Sequence, residues 1–140
     1  MSGFLLDTNI VSELVRPKPE PKVREWVAST DENLLYLSVL TLGEIRKGIV
    51  GVRDASRRAA LEAWLDGDLV LRFANRILPI DRPVAARWGR LGAQAGRKSL
   101  LPVLDGLLAA TALHHNLILV TRNTKDVEGI GAPVFNPWIA

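Results

Sequence analysis

The stretch Phe4-Leu5-Leu6-Asp7-Thr8-Asn9-Ile10 decides how the rest of the chain is read. Three apolar residues with the composition of a buried strand run directly into an acid, and a helical pattern follows. In an open α/β sheet, ligands bind in the crevice outside the carboxyl ends of the strands. An aspartate delivered there by the first strand is placed to do chemistry. Taken alone, Asp7 is equally an ordinary N-cap, because its side-chain oxygen can accept from the free N–H groups that open a helix. The other acids of the chain decide between the two roles.

Outward from this stretch, residues 8–15 place Ile10, Val11 and Leu14 at helical spacing, and Pro17, Pro19 and Pro21 stop that helix. Residues 23–29 read as a second helix with Trp26 and Val27 inward. Residues 34–38 are a buried strand by composition and length, and 41–50 return to helix. A longer amphipathic helix is expected over 54–66, with Asp66-Gly67-Asp68 as a break or kink before 69–75. Residues 77–80 form a short strand that Pro79 confines to an edge or a strand end. Asp81 caps the next helix with Pro83 in its first turn. The small residues Ala86, Gly89 and Ala93 of that helix are expected to permit close approach. A loop over 96–101 leads to an almost wholly apolar helix over 103–115, and Asn116 suits the left-handed position that ends it. Residues 117–120 are the second clearly buried strand, and 134–135 a last short one. Strands alternating with helices predict an α/β fold, a parallel sheet covered on both faces. Without repeats or linkers, residues 1–140 are expected to form a single domain.

Composition narrows the chemistry. At 140 residues the chain is large enough for a full core, and 48% hydrophobic with 24% charged residues describes a folded rather than a disordered chain. It has no cysteine, which excludes disulfides, thiol catalysis and cysteine-ligated zinc and fits a reducing, cytoplasmic location. No apolar run reaches membrane-spanning length, and Asp7 interrupts the N-terminal run too early for a signal peptide. A net charge of +3 allows a polyanionic partner without demanding one.

Four acids occupy comparable places in this layout. Asp7 follows the first strand, Glu44 lies one turn into the helix after the second, Asp105 sits early in the apolar helix, and Asp126 lies just beyond the strand at 117–120. Glu44 also completes Thr41-x-x-Glu44, a capping box, and Asp126 also suits a turn. Asp105 is flanked by Val103, Leu104, Leu107 and Leu108, where a charge is costly unless something pairs it. His114 and His115 fall at a helix C-terminus, where they serve as favourable cap charges. Convergent carboxylates without Cys or His point to a hard, oxygen-preferring cation, Mg²⁺ or Mn²⁺.

At this point the residues match a known pattern. The chain resembles PIN-domain nucleases and, within them, toxins of the bacterial VapBC type in the FitB-like branch. The resemblance runs nearly end to end through four blocks: Leu6-Asp7-Thr8-Asn9-Ile10-Val11-Ser12-Glu13-Leu14, Ser38-Val39-Leu40-Thr41-Leu42-Gly43-Glu44-Ile45, Leu104-Asp105-Gly106-Leu107-Leu108-Ala109-Ala110-Thr111-Ala112, and Val120-Thr121-Arg122-Asn123-Thr124-Lys125-Asp126. Phe135-Asn136-Pro137-Trp138 matches the closing strand. The resemblance implies a three-layer α/β/α sandwich around a short parallel sheet, and metal-dependent endonucleolytic cleavage of RNA. It implies that Asp7, Glu44 and Asp105 hold the metal. The fourth position is given to Asp126, with Asn123 as the alternative holder, and Thr121, Asn123 and Asn9 are the supporting hydrogen-bond partners. Whether one metal or two are held is also left open. The implied partners are a transfer or ribosomal RNA substrate, a cognate VapB-like antitoxin, a second copy in a homodimer, and a higher assembly with antitoxin and DNA. No membrane association is expected.

The substrate side is expected to be basic. Residues 82–98 carry Arg82, Arg87, Arg90, Arg97 and Lys98 and no acid, and Arg87, Arg90 and Arg97 fall on roughly one side of a helix at about 3.6 residues per turn. Together with Lys98 they are candidate RNA contacts. Arg46, Lys47, Arg53, Arg57 and Arg58 form a second candidate patch. Two other functions fit parts of the pattern: a catalytically inactive PIN-like RNA-binding or scaffold module, and a receiver-like phosphoacceptor. The second wants an acid paired with the first strand's aspartate, and Asp7 has none adjacent.

Overall fold

The computed structural model of the chain describes residues 3–95 and 102–140. Its strands are β1 (Phe4–Leu6), β2 (Leu35–Ser38), β3 (Ile77–Leu78), β4 (Ile118–Val120) and β5 (Val134–Phe135). They form a five-stranded sheet in the order β3-β2-β1-β4-β5, and every pairing is parallel. The helices are α1 (Thr8–Leu14), α2 (Pro21–Ser29), α3 (Val39–Val50), α4 (Ala55–Ala63), α5 (Val70–Phe73), α6 (Arg82–Ala95), α7 (Val103–His114) and α8 (Thr124–Val127). Among the described residues no helix is long and apolar enough to cross a membrane.

The alternation of side chains along β1 builds the two cores. Leu6 points to one face, where it joins Ile10 and Val11 of α1, Val23 and Val27 of α2, Ile45 and Ile49 of α3, and Leu65, Leu69 and Phe73. Leu5 points to the other, against Leu108 and Ala112 of α7 and Leu119 of β4. Opposite faces follow from the two-residue period of a strand. This is the three-layer α/β/α arrangement the pattern implied. At the start of β1, Gly3 adopts φ +122, and a Cβ there would stand 2.5 Å from the carbonyl oxygen of Leu34. Only glycine lets the two central strands begin so close together.

β1 lies at the centre of the sheet, and the chain leaves it first toward β2 and β3, then returns to β4 and β5 on the other side. The reversal falls between β1 and β4, which is where an open parallel sheet opens its crevice. Pro79 follows β3 at the edge, as expected. Asn116 has φ 57 and turns α7 into β4.

Three local expectations change. Residues 66–68 do not break the helix: Trp64–Leu69 form a π-helical turn that carries α4 directly into α5. Widening the turn to i→i+5 bonds absorbs Gly67 without ending the helix. Helix α3 begins at Val39, not near Thr41, because Ser38 is its N-cap and accepts from Leu40 N at 3.0 Å. In α6, Ala86, Gly89 and Ala93 are exposed. Val84, Arg87 and Leu91 occupy the inner face of that helix instead, spaced as one helical stripe.

Arg76, in the turn before β3, donates to the carbonyls of Glu32 (2.5 Å), Leu35 (2.6 Å) and Arg72 (2.6 Å) and to the Glu32 carboxylate (2.9 Å). Its guanidinium also lies 5.0 Å from the centroid of the Phe73 ring. The entry to β2 is thereby tied to α5 and β3.

Candidate active site

The first shared feature of the site is where β1 and β4 end. Asp7 N donates to Val120 O at 2.9 Å, so Asp7 and Thr121 emerge side by side from adjacent parallel strands. Asp7 N-caps α1, its Oδ1 accepting from Thr8 N at 2.7 Å. The cap and the crevice roles therefore coexist. Its Oδ2 accepts from Thr121 Oγ1 at 2.8 Å and from Asn9 Nδ2 at 3.5 Å. Asn9 Nδ2 also lies 3.4 Å from Thr121 Oγ1, and Thr121 Oγ1 accepts from the main-chain N of Asn123 at 3.1 Å.

Glu44 comes from α3 to the same place. Its Oε1 accepts from Thr8 Oγ1 at 2.6 Å. The capping-box role does not apply, because Ser38 is the N-cap of α3 and Glu44 lies beyond the first turn. Thr41 itself is buried and its hydroxyl has no hydrogen-bond partner among the described residues. Thr8 therefore holds both acids, one through its main-chain N–H and the other through its hydroxyl. Thr8 was not among the candidate residues of the sequence; its place directly after Asp7, with the helix turning its side chain toward α3, is the signal that could have found it.

Asp7 is only 8% exposed. Burial pushes its carboxyl above the usual value of 3.8, the hydrogen bonds from Thr121 and Thr8 N oppose that rise, and the charge of Glu44 adds to it. Among the described residues no basic side chain forms an ion pair with Asp7 or Glu44.

Asp105 stands half-buried in the first turn of α7, a helix that packs against α6, β4 and α8. Asp126 falls within α8, just after the strand that delivers Thr121; its side chain lies outside the described residues. Among the described residues the structure joins Asp7 to Glu44 through Thr8, and no three His, Cys, Asp or Glu side chains gather as a cation site. Asn123 supports the site through its main chain; its side chain is exposed.

The basic candidates divide. Arg90 is exposed on α6, whereas Arg87 is half-buried and its Nε has no acceptor among the described residues; Arg97 and Lys98 lie outside the described residues. In the second patch Arg46 pairs with Asp66 and Arg58 donates to Val52 O at 2.7 Å. Arg57 lines a groove of about 220 Å³ with Thr8, Glu44, Ile49, Leu61 and Trp64.

Comparison with known proteins places this geometry in a family. Toxin FitB of Neisseria gonorrhoeae is 37% identical over 138 residues, covering 96% of this chain and 98% of that one. The VapC ribonuclease Y4jK of Sinorhizobium fredii is 34% identical over 136 residues, covering 96% and 97%. The crystal structure of FitAcB from Neisseria gonorrhoeae superposes with a TM-score of 0.93 at 36% identity, covering 98% of this chain and 99% of that one. The family model for the PIN domain matches residues 4–128, a span that includes β1, the four candidate acids and both threonines of the site. The chain belongs to the PIN-domain family.

Proposed function

We propose that this chain is a divalent-metal-dependent endoribonuclease, the toxin of a toxin–antitoxin pair. The observation that carries the reading is the Thr8 bridge. Two acids from separate elements are held together, one of them buried, with no basic side chain paired to either among the described residues. Such a pair is stable when a cation stands with it.

Asp7 and Glu44, with Asp105 and either Asp126 or Asn123, are the residues that would hold Mg²⁺ or Mn²⁺, because an oxygen-only donor set suits a hard cation. When bound, the ion supplies Lewis-acid stabilisation of charge building on the phosphoryl group and a more acidic water. The chain's own side chains do the positioning. Thr121 and Asn9 fix one oxygen of Asp7, the Thr8 main chain fixes the other, and the Thr8 hydroxyl orients Glu44. The Asn123 N–H orients the Thr121 hydroxyl in turn.

The substrate is RNA with an unpaired segment at the crevice, since single-stranded loops expose their bases to recognition; transfer and ribosomal RNA both supply them. The restraining partner is a VapB-like antitoxin with a segment in the groove beside Glu44. A homodimer would use the exposed Trp88, Val103 and Leu104 of α6 and α7. A cytoplasmic site of action goes with these partners.

The test is cleavage of transfer and ribosomal RNA by purified protein with and without Mn²⁺. Metal-dependent cutting that disappears in Asp7→Asn and Glu44→Gln is the expected result. RNA bound but left intact by the metal-loaded protein would establish the inactive scaffold instead.

A further inference from the structure

A second cleft, of about 450 Å³, is lined by Arg16, Lys18, Arg122 and Trp138 together with Glu13 and Glu20. We propose that this cleft is the subsite for a nucleotide of the RNA flanking the scissile bond. The inference rests on the ribonuclease reading and names where the strand runs.

The cleft is tied to the acids by a chain of hydrogen bonds. Asn9, which contacts Asp7 and Thr121, accepts from Arg122 N at 3.4 Å. Arg122 O accepts from Asn136 Nδ2 at 3.4 Å, and Asn136 Oδ1 accepts from Trp138 N at 2.9 Å. Arg122 follows Thr121 directly, so its position is set by the end of β4.

The lining has the chemistry of a nucleotide. The Arg122 guanidinium lies over the Trp138 indole, 5.1 Å from its centroid. Bases of single-stranded RNA stack on aromatic rings and on guanidinium planes, and here the two are already stacked. Glu13 neutralises Arg16 in an ion pair, so the positive charge that the cleft offers rests on Lys18 and Arg122, set against Glu20. Glu13 is buried, and its two oxygens accept from Arg16 (3.2 Å) and from Glu20 N (2.9 Å). Lys18 and Arg122 are exposed and have no carboxylate partner among the described residues. Both are placed to take a phosphate. On α6, by contrast, Arg87 is half-buried, which leaves Arg90 as the exposed arginine of the expected stripe within the described residues.

The experiment measures binding of a short fluorescent single-stranded oligoribonucleotide to the Asp7→Asn protein, which keeps the RNA intact, over a range of salt. Cleavage by the unaltered protein is followed alongside. Lys18→Gln, on an exposed side chain, should lower the magnitude of the salt slope by about 0.7. Arg122→Gln should do the same and weaken binding at low salt. Trp138→Leu should weaken binding by roughly fivefold or more, the loss of one stacked base. Because Trp138 also packs against the core, the lysine and arginine variants carry the test. If the protein cuts RNA while folded Lys18→Gln and Arg122→Gln bind with parental affinity and slope, the subsite is overturned alone. If the protein neither cuts nor binds RNA, the ribonuclease reading falls and the subsite with it.

Discussion

Thr8 and Glu44, 36 positions apart in the sequence, meet through a 2.6 Å hydrogen bond from the threonine hydroxyl to Oε1. Thr8 also holds Asp7 from its main chain at 2.7 Å. One residue thereby sets the spacing of two acids that arise from different strand–helix units. An isolated acid pair repels; here the repulsion is borne by a hydroxyl that offers its only proton to Glu44.

Replacing that hydroxyl tests the bridge. Thr8→Val keeps the main-chain bond to Asp7 and the volume of the side chain but releases Glu44. A hydrogen bond to a charged group contributes about 1.5–3 kcal/mol, so kcat/KM for RNA should fall by roughly 10- to 100-fold. Thr8→Ser should retain most of the activity. Equal rates for the valine variant and the parent would remove Thr8 from the site.

The raised pKa of Asp7 makes a statement about stability. A carboxyl whose folded pKa lies above its unfolded value holds its proton more tightly in the folded state. Its contribution is fully present below the ordinary value of 3.8 and is lost as pH rises through the folded value. In chelator, Asp7→Asn should match the parent below pH 3.8, become more stable than it as pH rises through the folded value, and keep a constant advantage above that. Denaturant titrations from pH 4 to neutrality read the difference, and added Mn²⁺ should close it by stabilising the parent alone. A gap that narrows with rising pH in chelator would contradict the assignment of burial and Glu44 as its causes.

Arg76 should matter more than the arginine next to it. Its bonds reach three main-chain carbonyls, and Arg76→Met leaves them without their donor. The expected loss is about 3 kcal/mol, a fall in Tm on the order of 10 °C. Arg72→Met breaks the exposed pair with Glu32 and should cost less than about 1 kcal/mol. Thermal melts of the two variants side by side decide the order.

Trp64 and Trp26 have different surroundings. Trp26 packs against Phe4 at 5.1 Å and Phe135 at 5.2 Å. Trp64 lines the cleft beside Glu44. Binding of an antitoxin segment there should shift tryptophan emission, and Trp64→Phe should remove that shift. A shift that survives in Trp64→Phe and vanishes in Trp26→Phe would move the partner elsewhere.

Much of this was legible in the residues. The β1 stretch, the edge position imposed by Pro79, the left-handed Asn116 and the order of the acidic blocks all depend on local chemistry, which a sequence carries openly. What escaped depends on distance or on competition. Thr41-x-x-Glu44 has the form of a capping box, but Ser38 opens the helix earlier and frees Glu44 for Thr8. A π-helical turn has no residue signature of its own, and Asp66-Gly67-Asp68 looks like a stop. The inner face of α6 is set by what packs on it, so its small residues were assigned to the wrong side. The bonds from Thr121 to Asp7 and from Arg76 to Leu35 depend on strand register, which appears only when the sheet is assembled.

The central place of β1 also sets when the site can exist during synthesis. Asp7 and Thr121 are 114 positions apart, and β1 needs β4 as well as β2 for its neighbours. At about 5–20 residues per second, a ribosome spends several seconds or more between the two. Through that interval the nascent chain already carries Asp7, Thr8 and Glu44 but lacks the strand and the hydroxyl that hold Asp7 in the crevice. A chain released early by a stop codon before Thr121 would be harmless to the cell that made it.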